Sequence, residues 1–174
     1  LSASTRSQSL FLTDTLALTP ALALAASLRW NRTRVAIADR SGLEPDLDGR
    51  HRFSRANPAL GMAWDLSPAL NFYASYSESA RAPTAVELSC ADEDAPCRLP
   101  NQFVSDPPLK QVVAKSWEAG LRGEHGDALH WQAGAFRTRN SDDILFQTTG
   151  GASSNAGRGA EADHLVVGPQ RAID

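Results

Sequence analysis

Residues 16–28 read LALTPALALAASL and residues 64–76 read WDLSPALNFYASY, so a unit L-[S/T]-P-A-L-x-[L/F]-x-A-S occurs twice, 48 residues apart. After Pro20 the even positions Leu22, Leu24, Ala26, Leu28 and Trp30 are apolar, while the odd positions run into Ser27, Arg29 and Asn31. After Pro68 the phase returns, with Leu70, Phe72, Ala74 and Tyr76 against Asn71, Tyr73, Ser75 and Ser77. A period of two is a strand with one apolar face, and a helix does not fit it. The first copy taken alone has the Ala-Leu richness of a secretory leader. Asp14, Pro20 and the second copy deep in the chain count against that origin.

The same alternation extends before and after the repeat. Leu60, Met62, Trp64 and Leu66 alternate with small or polar residues, as do Trp117, Ala119 and Leu121, and Leu129, Trp131, Ala133 and Ala135. Six antiparallel strands are expected, at about 7–18, 21–38, 54–66, 69–79, 113–124 and 128–146. The opening segment is less regular, because Asp14 shares a face with Leu10, Leu12, Leu16 and Leu18. Either a bulge shifts the phase there or Asp14 lies near a rim.

Connection lengths are more specific than the strands. Thr19-Pro20, Ser67-Pro68 and His125-Gly126-Asp127 are tight turns, whereas residues 39–53 and 80–112 are long and polar, and another polar stretch begins at Gln147. Short turns on one rim and long loops on the other, joined by strands of about ten residues, describe the wall of a transmembrane β-barrel. Trp30 and Tyr76 fall toward the long-loop rim and Trp64 toward the short-turn rim, where aromatic girdles belong. The alternative is a soluble sandwich, whose strands average only about 5 to 6 residues. The fold class expected is therefore all-β, an antiparallel meander of about six long strands forming part of a barrel wall.

Composition narrows the rest. Seventeen Lys plus Arg against twenty Asp plus Glu leave a net charge of −3, so no overall basic field exists to hold nucleic acid. The chain contains no serine-nucleophile elbow, phosphate-binding loop, H-E-x-x-H pair or paired-cysteine zinc spacing, and neither an enzyme nor a cofactor is expected.

Residues 75–88 read SYSESARAPTAVEL and residues 108–123 read PLKQVVAKSWEAGLRG. Both resemble the TonB-dependent outer-membrane receptors, gated barrels that import ferric siderophores, haem, cobalamin and related cargo. Tyr76, Ser77, Arg81, Ala82, Pro83, Thr84, Glu87 and Leu88 match a strand ending Y-S-x-x-F-R-A-P-T-x-x-E-L, with Ala80 in place of Phe. Leu109, Lys110, Glu118, Gly120, Arg122 and Gly123 match N-P-x-L-K-P-E followed by Y-E-x-G-x-[K/R]-G, with Gln111 and Val112 replacing Pro-Glu and Trp117 replacing Tyr. The following FRTRNSDDILF is similar to the family's next strand.

The resemblance implies a bacterial outer-membrane location, a ferric siderophore or similar scarce metal chelate as cargo, and a TonB-type coupling protein acting through a plug region. Such receptors have barrels of about 22 strands. With six strands and neither plug nor coupling box, the chain is expected to be an internal piece: 1–146 a partial barrel and 147–174 a surface loop with an irregular or frameshifted tail. A non-gated porin or structural surface barrel is the alternative.

In that frame the loop after the first motif is external, and an oxidising compartment makes a Cys90–Cys97 disulfide the expected state. It would close a short loop and contribute at most about 2 to 3 kcal/mol. No His neighbours the pair, which disfavours a metal site. Arg50, His51 and Arg52, with Arg55, form a basic patch suited to an anionic chelate or to lipopolysaccharide phosphates. Inward Arg29, Arg122, Asp65 and Glu118 are expected to pair within the wall or with a plug.

Overall fold

A computed structural model describes residues 2–40, 48–89, 109–126, 129–147, 152–156 and 161–170. The strands are β1 (Ser2–Thr19), β2 (Leu22–Ala38), β3 (Gly49–Ser67), β4 (Leu70–Arg81), β5 (Val112–His125), β6 (Leu129–Ser141), β7 (Asp143–Gln147), β8 (Ala152–Ala156) and β9 (Glu161–Gln170), with one short helix, α1 (Ala85–Ser89), after β4. β1 to β6 form an antiparallel meander in chain order, β9 adds to the outer edge of β6, and β7 pairs with β8 in a separate ribbon.

The repeated unit has a physical explanation. Thr19 and Ser67 use their hydroxyls to accept from the N–H groups of Ala21 and Ala69, at 3.2 and 3.4 Å. Such a hydroxyl closes a tight turn, and the Pro between presets its backbone. Each turn is then tied to the next hairpin, because Ala21 and Ala69 carbonyls accept from Asp65 and Glu124, at 2.8 and 3.0 Å. Both turns are preceded by a register shift, at Ala17/Thr19 and Asp65/Ser67. The third short connection uses Gly126 at a φ of 59°, where a Cβ would be strained.

The register puts the expected apolar positions on one face. Leu12 lies opposite Leu28, Leu22 opposite Trp64, Trp64 opposite Phe72, Phe72 opposite Leu121 and Tyr76 opposite Trp117. This face is bare: Leu12 is 75% exposed, Leu60 59% and Leu28 52%. In water such a surface is a liability, and in hydrocarbon it is what a wall requires. Leu22 to Trp30 covers roughly 27 Å of strand at about 3.4 Å per residue. Tilted by about 40°, that rises about 21 Å and spans most of an outer-membrane apolar band of about 25 Å.

The opposite face is polar and carries close-fitting contacts. Tyr73 lies across two glycines, so that a Cβ on Gly120 would fall 2.6 Å from its ring and one on Gly134 2.8 Å from its hydroxyl. Arg122 stacks 4.6 Å from the Tyr73 ring centroid, Asn71 donates to Asp65 at 2.8 Å, and Arg29 donates to Ser9 at 3.1 Å. The expected inward charges Arg29, Arg122 and Asp65 thus find partners within the wall.

Three expectations need correction. Asp14 lies at neither a bulge nor a rim: it pairs with Ala26, between Leu12/Leu28 and Leu16/Leu24, in unbroken register. Its carboxylate accepts from the Thr15 N–H at 2.9 Å, a local bond that needs no shift of phase. The segment 128–146 is two strands, because Asp142 takes a φ of 54° and turns the chain away; Asp is one of the few residues that tolerate this region. The tail is not irregular throughout, since Glu161–Gln170 pairs with β6 from Arg139/Glu161 to His130/Gln170. Backbone pairing with a free edge needs no strict side-chain alternation, and Leu165, Val166 and Val167 favour strand.

Candidate functional site

The chain leaves β4 through the segment that carries the first motif. Thr84 and Glu87 form a capping box around α1: the Glu87 N–H donates to Thr84 Oγ1 at 3.3 Å, and Thr84 N–H donates to Glu87 Oε2 at 2.6 Å. Arg81 Nη1 closes the other side, 3.1 and 2.9 Å from the two carboxylate oxygens. Burial would push the Glu87 carboxyl up, but the bonds from Arg81 and Thr84 outweigh it and hold the group below its ordinary range. Pro83 is fully buried between these groups and Ala82 is half-buried. The T-x-x-E spacing that marks this cap was visible in the sequence.

Leu88 then enters a buried cluster with Val35, Ile37, Leu109, Val112 and Ile144, against which Phe53 and Ala85 pack. Leu88 belongs to the first motif and Leu109 to the second. The two motifs are thus stitched together at the long-loop end, on the polar side of β2 and β3 where Val35 and Phe53 stand, and hold both ends of the 90–108 connection. Lys110 is exposed beside the cluster.

A second arrangement fills a split in the sheet. β3 pairs with β2 as far as Gly49, and β4 pairs with β5 as far as Arg81, yet the β3–β4 ladder stops at Ala59/Ser77. Asp65 N–H donates toward β2 and N–H groups alternate sides along a strand, so the even residues of β3 face β4. Pro58 is even and has no N–H to give. Above it Arg55 reaches across to Glu78 at 2.9 Å, the Tyr76 hydroxyl donates to the same carboxylate, and Lys115 Nζ stands 3.5 Å away. Among the described residues, Arg55 Nε and Asn57 Oδ1 are buried there without a hydrogen-bond partner. Nothing in the linear sequence marks this network, which depends on register.

The remaining sequence candidates separate. Tyr76 packs on Trp117 with ring centroids 5.4 Å apart, on the apolar face. Ser77 and Glu118 lie on the polar face and are exposed, and Gly120 is buried beneath Tyr73. Arg50 and Arg52 stand on the apolar-face side of β3, while His51, opposite Val35, stands on the other side. Cys90 and Cys97 lie outside the described residues. On the polar face near the short turns a cavity of about 450 Å³ is lined by Asp65, Asn71, Arg122 and Glu124, with His130 3.4 Å from Glu124.

A family model described as "TonB dependent receptor-like, beta-barrel" matches residues 2–170, a span that includes β9. Among solved structures, the alcaligin outer-membrane receptor FauA from Bordetella pertussis superposes with a TM-score of 0.64 at 21% identity, covering 94% of this chain and 26% of that one. The copper transporter OprC gives 0.69 at 19% identity, covering 96% and 25%. The ferric yersiniabactin uptake receptor FyuA from Yersinia pestis gives 0.65 at 16%, covering 94% and 23%. No curated protein matches the chain. The chain spans about a quarter of the length of these receptors, whose family comprises outer-membrane transporters and not enzymes. The apolar face is therefore the lipid face and the polar face the lumen, and the chain belongs to the TonB-dependent receptor family as a segment of its outer-membrane β-barrel.

Proposed function

We propose that the chain is one part of a receptor that imports a ferric siderophore or similar scarce metal chelate by energised, gated transport. The observation that carries this is the joining of both family motifs at the external rim, where Arg81, Glu87, Leu88 and Leu109 hold the base of the 90–108 loop. Residues 84–89 and 109–112, fixed in this way, give the segment between them a defined start and end at the external rim. The three similar receptors are named for alcaligin, ferric yersiniabactin and copper, and two of those names carry a metal. A Cys90–Cys97 disulfide in this loop belongs to the proposal.

Transport needs more than these strands. β1 and β9 are the open edges of the sheet, and unpaired backbone in hydrocarbon costs several kcal/mol per group. The lumen cavity around Asp65, Arg122 and Glu124 is suited to face a plug, through which a TonB-type protein would act. Growth on single iron sources tests the proposal with the parent gene intact, with it deleted, and with only these 174 residues expressed. Energy-dependent growth from the intact gene alone is expected. Uptake indifferent to energy and to chelate identity would favour a porin, and rescue by the 174 residues would refute their insufficiency.

A further inference from the structure

The split between β3 and β4 goes through the wall, because successive side chains point to opposite faces. Arg55 has the odd phase of Asn57 and Ala59, the lumen face of β3, while Glu78 has the even phase of Tyr76, the lipid face of β4. Their 2.9 Å bridge therefore passes from one face to the other. Lys115, opposite Glu78, reaches the same carboxylate from the lipid side at 3.5 Å. Beyond Ala59/Ser77 the two strands make no backbone pair. Among the described residues, side chains alone close this window between lumen and membrane.

Its height is the outer edge of the apolar band. Ala56 is level with Trp30, and Glu78 stands one step above Tyr76 and Trp117. Pro58, Leu60 and Tyr76 make the lipid-side edge apolar. On the lumen side Asn57 is only 7% exposed, and among the described residues its Oδ1 has no hydrogen-bond partner, nor has Arg55 Nε. Buried polar atoms left unpaired cost free energy, which a ligand recovers by offering an acceptor to Arg55 and a donor to Asn57. The closing bridge is weak, since Arg55 and Lys115 are 34% and 41% exposed and ion pairs in such positions contribute little. A hydrocarbon chain gains with every methylene it withdraws from water. Polar groups on the inner side and hydrocarbon on the outer side suit an amphiphile, and a wholly polar cargo gains nothing from the outer half.

We infer that the β3–β4 split is a lateral window that seats the hydrocarbon tail of an amphiphilic metal chelate, while the chelating head stays in the lumen against Arg55 and Asn57. The site rests on the import reading and narrows its cargo to chelates that carry a tail.

The test is energised uptake of radioactive iron by cells that carry the full receptor containing this chain. The probes are ferric complexes of a hydroxamate, a catecholate and a hydroxycarboxylate chelator, each made with and without an N-dodecanoyl chain. For at least one head, wild type should half-saturate at a concentration about tenfold lower with the tail than without it, the worth of about two buried methylenes. In Ala56→Trp, which sets a bulky ring at the mouth of the window, this advantage should vanish. Ala26→Trp, on the lipid face of β2 where the ladders to β1 and β3 are unbroken, should keep it. Heat-modifiable gel mobility checks that each variant is folded; if Ala56→Trp does not fold, Ala56→Leu is read, with a partial loss. A diazirine near the carbonyl end of the tail should label residues 56–60 and 76–79. No advantage from the tail in wild type, or an equal advantage in folded Ala56→Trp, would overturn the window and leave import standing. Labelling of the same residues by a photoreactive phospholipid, undiminished by excess acylated complex, would assign the window to membrane lipid and also overturn it. Energy-dependent uptake of none of the complexes would overturn the import reading, and the window with it.

Discussion

The turn-side half of the wall and its external end solve the same problem by different means. On the turn side every neighbouring pair from β1 to β6 is laddered, with only the single register shifts at Ala17/Thr19 and Asp65/Ser67 beside the turns, and the backbone satisfies itself. At the external end β3 and β4 part above Ala59/Ser77, and side chains take over: the Arg55–Glu78 bridge, the Arg81–Glu87 clamp and the Leu88–Leu109 cluster. Hydrocarbon tolerates no open ladder, whereas the wetter rim does. Among the described residues, the parting of neighbouring strands is thus confined to the end where loops meet the outside.

The turn-side half is the more sensitive to a charge placed on the wrong face. Leu60→Arg, on the lipid face opposite Ala26 and Tyr76, should destabilise the reconstituted barrel by about 2 to 4 kcal/mol in urea titrations. Ala59→Arg, one residue away on the lumen face, should cost far less. Equal costs would mean the two faces are not in different media.

The next tests the clamp. Glu87→Ala removes a cap and a charge-assisted bond, and should open residues 82–89 to hydrogen exchange by about 1 to 2 kcal/mol, a figure discounted because Arg81 is 48% exposed. Because the folded Glu87 carboxyl sits below its ordinary value of 4.5, its contribution is fully present above that value. It is lost as pH falls through the lower, folded value. Protection of 85–89 should therefore be flat from neutral pH to about 5 and decline below it. In Glu87→Gln this decline should vanish.

The smallest effect concerns the split. Pro58→Ala restores the missing donor and should stabilise the barrel by less than about 1 kcal/mol, with the new N–H protected from exchange. An unprotected N–H would assign the split to the Arg55–Glu78 bridge and not to Pro58.

Much of this was legible in the sequence because a strand records its environment every second residue. Leu22, Leu24, Leu28 and Trp30 share a face by their spacing alone, and the Thr19-Pro20 and Ser67-Pro68 turns mark their hairpins. Where one residue departed from its class the pattern misled, as at Asp14, whose local bond to the Thr15 N–H lets it stay among leucines. Features made by pairing strands far apart in sequence were invisible. Arg6, Arg34 and Arg52 are 28 and 18 residues apart and meet only through register. Arg50, His51 and Arg52 looked like one basic patch, and the pleat divides them between lipid and lumen. The bend at Asp142 needed an unusual φ that Asp permits but does not require.

As a membrane wall, this chain has lipid on one face and aqueous lumen on the other, and the two media can be told apart residue by residue. Single cysteines placed in turn at residues 22 to 30, in the full receptor with Cys90 and Cys97 replaced by Ser, can carry a nitroxide whose collisions with oxygen and with a water-soluble nickel chelate are measured by electron paramagnetic resonance. Oxygen accessibility should peak at 22, 24, 26, 28 and 30, and nickel accessibility at 23, 25, 27 and 29. Accessibilities that rise and fall together, or that follow a period near 3.6, would contradict the account.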